Sequence, residues 1–148
     1  MYTKLEGFDI MVKLFIGEKG TGKTKKLIDG VNAALEASKG HVVCVEKDDL
    51  LRYQISYKVR LLAASNYGIS GYDAFYGFLS GLCAGDHDIT DILVDATLKI
   101  GGRDYEALAD FLDKIARLSS LTGTQFVFTV STEKENLPER IFEVCELA

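Results

Sequence analysis

The sequence predicts a single α/β domain built around a mostly parallel sheet with helices on both faces. Short apolar runs alternate along the chain with longer segments in which apolar residues recur at helical spacing. The short runs are apolar almost throughout, which is typical of strands buried on both faces of a parallel sheet. The chain has 148 residues with neither an internal repeat nor a linker, so one domain with its own core is expected. We predict a three-layer sandwich with about five or six strands.

The predicted elements follow one another in a regular order. The strands are residues 11–16, 41–45, 89–94 and 125–130, and the helices are residues 23–39, 72–84 and 105–119. Glycines or acidic residues end most of these elements. Gly17 follows the first strand, Gly40 follows the first helix and Asp95 follows strand 89–94.

Two segments in the middle of the chain fit more than one structure. Residues 59–64 fit a strand or a helix, and we favour a strand because Gly68 and Gly71 follow closely. Residues 50–57 fit a short helix or an irregular segment. The aromatic and glycine-rich stretch 67–78 fits core packing, with a partner surface or a base-stacking loop as the alternative.

The two ends of the chain are interpreted separately. Residues 1–10 are either an N-terminal extension upstream of a true start at Met11 or an edge strand or loose arm, and the domain itself is expected to span 11–148. The tail, residues 137–147, is expected to form a helical turn after Pro138 and then a short last strand.

Composition excludes several classes of protein. No run approaches the roughly 18 apolar residues of a membrane span, and residues 1–10 lack the features of a secretory signal. The formal net charge of −5 gives no direct signal of nucleic-acid binding. Cys44, Cys83 and Cys145 are far apart and surrounded by apolar residues, so we expect reduced, buried thiols. Together these features predict a cytoplasmic protein that does not bind membranes.

Residues 17–24 match the pattern G-x-x-x-x-G-K-[ST] at every fixed position. Glycines allow such a loop to point successive backbone N–H groups at phosphate oxygens, and the N-terminus of the following helix attracts the same anion. The predicted phosphate-binding residues are Gly17, Glu18, Lys19, Gly20, Thr21, Gly22, Lys23 and Thr24. The loop follows an apolar strand and precedes an amphipathic helix, which is the context that the pattern requires.

With these residues the chain resembles the P-loop NTPases. The resemblance implies that it binds ATP, with Mg²⁺ as cofactor. Lys23 would neutralise the β- and γ-phosphates and so assist catalysis, and the Thr24 hydroxyl would ligate the metal. The family also carries a metal-holding aspartate, called Walker B, at the end of a later apolar strand. Asp95 follows Ile92-Leu93-Val94 and matches that description.

Within the family, the chain resembles the RecA-like members of the additional-strand division. Many members of that division place a catalytic glutamate directly after the metal-holding aspartate, where this chain has Ala96. RecA-like members instead carry the glutamate at the end of the strand that follows the P-loop helix, and Glu46 matches that position. Glu46 therefore either orients the attacking water or belongs to a solvated acidic turn with Asp48 and Asp49.

The same resemblance indicates further polar candidates. Thr129, Ser131 and Thr132 stand where the division often has a sensor of the γ-phosphate, although hydroxyls at strand ends are also ordinary turn residues. Arg103 and Arg140 are candidates to reach the nucleotide of a neighbouring subunit, with a simple surface role as the alternative.

The sequence thus predicts a small ATP-binding P-loop protein, a Mg²⁺-dependent ATPase (a hydrolase) of low intrinsic activity. The alternative is a sensor that binds the nucleotide without hydrolysing it and changes its contacts with a partner. A small-molecule kinase is a weaker alternative, because neither a lid nor an acceptor pocket is recognisable. An unidentified protein partner or a homo-oligomer is expected, since little of the chain is left over for a separate substrate module.

Overall fold

The computed structural model describes residues 11–148 together with the backbone of residues 4–5 and 8–9. Its elements in chain order are β1 (Lys4–Leu5), β2 (Phe8–Asp9), β3 (Val12–Gly17), α1 (Lys23–Ala37), β4 (His41–Glu46), β5 (Arg60–Ala63), α2 (Tyr72–Gly85), β6 (Ile89–Val94), α3 (Thr97–Gly101), α4 (Tyr105–Thr122), β7 (Gln125–Ser131) and β8 (Glu146–Leu147). Short 3₁₀ turns lie at Ala64–Tyr67, Lys134–Asn136 and Glu139–Glu143. Strands β1 and β2 pair antiparallel as a separate two-stranded sheet. The rest of the predicted N-terminal extension, residues 1–3, 6–7 and 10, lies outside the described residues.

The main sheet has six strands in the order β5-β4-β6-β7-β3-β8, and every described pair in it is parallel. This confirms the predicted α/β class and the predicted number of strands. Strand β7 lies between β3 and β6, with Gly17 opposite Ser131 and Val94 opposite Phe128. Because the strands are parallel, the carboxyl ends of β3, β6 and β7 meet side by side at one edge of the sheet, here called the carboxyl edge.

The two faces of the sheet are covered by different helices. On one face, Leu27 and Val31 of α1 pack against Val42 and Cys44 of β4. The alternate residues of β4 face the other way, into a larger cluster that contains α2 and α4. In that cluster the rings of Phe75 and Phe111 stack with their centroids 4.8 Å apart. The side chains of successive strand residues point to opposite faces, so an apolar strand such as β4 can contribute to both clusters.

Several predictions about local structure are confirmed. Residues 60–63 form a strand, and the tail forms a helical turn after Pro138 followed by β8. Most of the aromatic stretch 67–78 belongs to α2 and its packing, and Phe75 is fully buried. The three thiols of Cys44, Cys83 and Cys145 are buried and unpaired.

The segment that joins β4 to β5 is irregular, which decides between the two structures predicted for residues 50–57. Leu51, Ile55 and Val59 point inward and pack beside α1. Leu50, Tyr53 and Tyr57 point outward and are exposed. The inward residues recur every four positions, so the segment covers the sheet as a helix would without forming one.

The short helix α3 was not predicted from the sequence. It follows Ala96, whose backbone is left-handed (φ 59°, ψ 47°), and Gly102 caps its C-terminal end. Its position directly after β6 brings the next residues of the chain to the carboxyl edge of the sheet. Across the part of the chain that the structure describes, no helix is both long enough and apolar enough to cross a membrane.

Candidate functional site

The loop between β3 and α1, residues 18–22, bends sharply at the carboxyl edge. Gly22, directly before α1, has a φ of 87°, a left-handed conformation that favours glycine. At Gly17 a Cβ would lie 2.7 Å from the Thr21 hydroxyl oxygen, so a larger residue there would displace the Thr21 side chain. No described side chain caps the N-terminus of α1. The partial positive charge of that helix end therefore faces the loop.

Lys23 begins α1 and is almost completely buried. Its Nζ donates a hydrogen bond of 2.7 Å to the backbone carbonyl of Glu18, and the Thr21 hydroxyl lies 3.4 Å away. Burial lowers the pKa of the Lys23 ammonium, and the negative charges of Asp95 and Glu18 partly oppose that effect. The loop thus holds a cation inside its own turn, at an energetic cost that a bound anion would offset.

Thr24 and Asp95 are 71 positions apart in the chain and meet at the carboxyl edge. The Thr24 hydroxyl lies 3.1 Å from Asp95 Oδ2 and 3.4 Å from Oδ1. The backbone N–H of Asp95 donates to the carbonyl of Val45 on the adjacent strand, which fixes the start of this turn. A carboxylate and a hydroxyl are both hard oxygen donors, the kind that Mg²⁺ prefers, so these two residues fit a magnesium ion.

Thr129 lies behind Asp95 and is buried. Its hydroxyl is 2.6 Å from Asp95 Oδ1, and it accepts a hydrogen bond of 2.8 Å from the backbone N–H of Ala96. The hydroxyls of Thr24 and Thr129 therefore both contact the Asp95 carboxylate, Thr129 at Oδ1 and Thr24 closer to Oδ2.

These groups line a cleft of about 570 Å³, within the size range of small-molecule sites. The far wall of the cleft is formed by α3 and by the turn that follows this helix. Ser131 at the end of β7 also lines the cleft. Four cationic side chains line it, namely Lys19, Lys23, Lys99 and Arg103, against two carboxylates, Glu18 and Asp95. The Arg103 guanidinium donates to the backbone carbonyl of Ser131 at 3.3 Å. The cleft is therefore locally cationic in a chain whose formal net charge is −5.

Glu46 does not line this cleft. Its side chain is 3% exposed and accepts hydrogen bonds from the backbone N–H groups of Leu50 (2.9 Å) and Leu51 (3.2 Å). Burial, with the nearby charges of Asp49 and Asp95, raises the pKa of the Glu46 carboxyl above its ordinary value, although the two amide bonds oppose this. The carboxyl is thus buried and bonded to its own loop, unlike the solvated acidic turn considered from the sequence. Its catalytic role stays a prediction.

The other polar candidates lie in different surroundings. The Thr132 hydroxyl is 2.9 Å from the Tyr105 hydroxyl and accepts from the Asn136 amide, away from Asp95. Arg140 pairs with Glu106 and with Asp110, at 3.1 Å and 2.9 Å, and is not part of the cleft wall.

Two features of the cleft were missed from the sequence. Lys99 carries no pattern that separates it from any surface lysine, because the helix that presents it is only five residues long. Arg103 was considered as a cation for a neighbouring subunit or as a simple surface arginine, whereas it lines the cleft of its own chain.

In comparisons with known proteins, no family model matches the sequence and no curated protein is significantly similar to it. What the cleft binds must therefore be inferred from its own residues.

Proposed function

We propose that this chain is a P-loop NTPase of the additional-strand division that binds a nucleoside triphosphate, ATP in the first instance, together with Mg²⁺. The observation that carries the proposal is the meeting of Thr24 with Asp95, 3.1 Å apart, beside a glycine-bounded loop that encloses the Lys23 ammonium. A glycine-rich turn alone has many uses. A loop of this sequence with an oxygen ligand pair beside its lysine has the chemistry of a phosphate–magnesium site.

The order of the strands supports the same proposal. The additional-strand division takes its name from a strand inserted between the phosphate-loop strand and the strand that ends in the metal-holding aspartate. Strand β7 occupies that position between β3 and β6. Ligands of open parallel sheets bind at the carboxyl ends of strands, near a point where successive connections leave to opposite faces. The connection from β3 leaves through α1 on one face, and that from β6 leaves through α4 on the other.

Each residue of the cleft then has a definite role toward the ligand. The backbone N–H groups of the loop and the N-terminus of α1 bind phosphate oxygens, and Lys23 neutralises the terminal phosphates. Lys99 and Arg103 face the same anion from the far wall. Thr24 and Asp95 would hold Mg²⁺, which supplies further neutralisation of phosphate charge when bound.

A nucleotide sensor without appreciable hydrolysis is the second candidate function. It is favoured by one observation, namely that the Glu46 carboxylate is bonded to the amides of Leu50 and Leu51 and does not line the cleft. An ATPase that used Glu46 would first have to break those bonds. Low intrinsic turnover is therefore the shared expectation, and a Glu46→Gln variant that retains ATP binding but loses the residual turnover would favour the ATPase.

Isothermal titration with ATP and Mg²⁺ tests the proposal directly. Lys23→Met keeps the length of the side chain and removes its charge, and we expect ATP to bind about 10–100-fold more weakly, the size of a lost charged hydrogen bond. Because the pKa of Lys23 is lowered by burial, the variant should unfold no more easily than the wild type. Lys39→Met removes an exposed lysine just beyond the far end of α1 and is the matched control. Equal ATP affinity in wild type and Lys23→Met would refute the phosphate-site assignment.

A further inference from the structure

We propose that Thr129 is a positioning residue, one that orients the Asp95 carboxylate for the metal and does not itself contact the phosphate. The inference rests on the proposed function. It names a residue that determines how strongly Mg²⁺ increases the affinity of that site for a triphosphate. It differs from the sequence-based expectation, in which Thr129 was a candidate sensor of the γ-phosphate.

The Thr129 hydroxyl group has a single proton to donate. The Thr129 oxygen accepts a hydrogen bond from the backbone N–H of Ala96 at 2.8 Å, and an N–H group can only donate. The hydroxyl proton is therefore free to be donated elsewhere, and Asp95 Oδ1 is 2.6 Å away. Hydrogen bonds to a carboxylate are short and strong, so this proton is committed to Asp95. Thr129 has no proton left to donate to a phosphate oxygen.

This bond fixes the rotation of the Asp95 side chain. With Oδ1 bonded to Thr129, the other oxygen, Oδ2, is the nearer one to the Thr24 hydroxyl. Both residues line the cleft, but Thr24 is exposed whereas Thr129 is only 2% exposed, at the back of the cleft wall. One oxygen of Asp95 is thus tied to the protein interior while the other faces the residue expected to share the metal. Groups that orient metal ligands from behind in this way typically change metal affinity by about 10–100-fold when they are removed.

The same hydroxyl also fixes the backbone beyond Asp95. Ala96 adopts a left-handed conformation, which is unfavourable for an alanine, and its N–H is held by Thr129. Helix α3 starts at the next residue and carries Lys99 into the wall of the cleft. Thr129 therefore links the metal-holding carboxylate to the segment that presents the cationic wall.

The experiment compares how strongly Mg²⁺ increases triphosphate affinity in each variant. ATP is titrated calorimetrically in excess Mg²⁺ and again in EDTA, and the ratio of the two dissociation constants is the magnesium gain. Thr129→Val removes the hydroxyl and keeps the shape of the side chain, and we expect the gain to fall about 10-fold or more. Thr129→Ser restores the hydroxyl and should restore most of the gain. If the valine variant does not fold, Thr129→Ala removes the same hydroxyl without adding a methyl group.

Thr124→Val is the matched control. Thr124 is also 2% exposed and directly precedes the same strand, but its hydroxyl bonds to the carbonyl of Ile89 at the opposite edge of the sheet. It should lower stability in a similar way and leave the magnesium gain unchanged. If lost stability alone were responsible, the magnesium gain would change equally in Thr129→Val and Thr124→Val.

Three results would overturn the inference. A full magnesium gain in Thr129→Val shows that Asp95 needs no such support. An equal loss of affinity in Mg²⁺ and in EDTA indicates a direct contact of Thr129 with the phosphate. If the wild type binds ATP in neither condition, the proposed function fails, and the inference fails with it; the first two results leave the proposed function intact.

Discussion

Gly77 and Gly81 lie in the interior of α2, where both are exposed to solvent. A Cβ at either position would meet no atom within 4 Å, and neither residue has a positive φ. Alanine can therefore replace each glycine without strain, and it loses less backbone entropy on folding. We expect each substitution to raise the free energy of unfolding by about 0.5–1 kcal/mol, and Gly77→Ala/Gly81→Ala together by about 1–2 kcal/mol.

Thermal and urea unfolding followed by circular dichroism measure this effect. In a domain of this size about 1 kcal/mol shifts Tm by roughly 2–4 °C, so the double variant should melt about 2–8 °C higher. Gly40→Ala is the control of opposite sign, because its Cβ would overlap the backbone carbonyl oxygen of Asp88, which cannot rotate away. The urea m-value should not change in the double variant. An unchanged or lower Tm at an unchanged m-value would refute the reasoning.

Two further predictions concern titratable groups. The pKa of His41 is raised above its ordinary value near 6.5, chiefly by its hydrogen bond with Asp86 and also by Asp88. This contact therefore stabilises the fold below about pH 6.5 and is lost as pH rises through the raised value, so His41→Gln should flatten the dependence of Tm on pH in that range. Burial raises the pKa of Cys44 to about 12, so it should not react with a thiol reagent at pH 8 until the protein is unfolded; modification of Cys44 in the native protein would contradict this.

Most strands and long helices could be located from the sequence because their signals are local. Residues 89–94 were predicted and observed with the same bounds, since an apolar run ends there at a turn residue. Helix α3 could not be found in the same way. It is too short for apolar residues at helical spacing to form a recognisable pattern. It also depends on a left-handed alanine, a conformation that the sequence does not predict.

The candidate site likewise contains features with a local sequence signal and features without one. The loop at residues 17–24 is a contiguous pattern, and a parallel sheet makes it reasonable to expect Asp95 near Thr24. The order of the strands is set by packing across the whole domain, so the insertion of β7 and the arrival of Thr129 behind Asp95 could not be read from residue types. The orientation of Glu46 depends on amides in an irregular segment, which periodicity does not describe.

The two amides that hold Glu46 also affect the rate at which the bound nucleotide could be turned over. Hydrogen bonds to a charged group contribute about 1.5–3 kcal/mol each, so freeing this carboxylate costs about 3–6 kcal/mol. If turnover requires that step, the reaction is slowed by about 10²–10⁴-fold relative to a carboxylate already in place. The lifetime of the bound nucleotide would then be set by the rate at which the hydrogen bonds between Glu46 and the amides of residues 50–51 break.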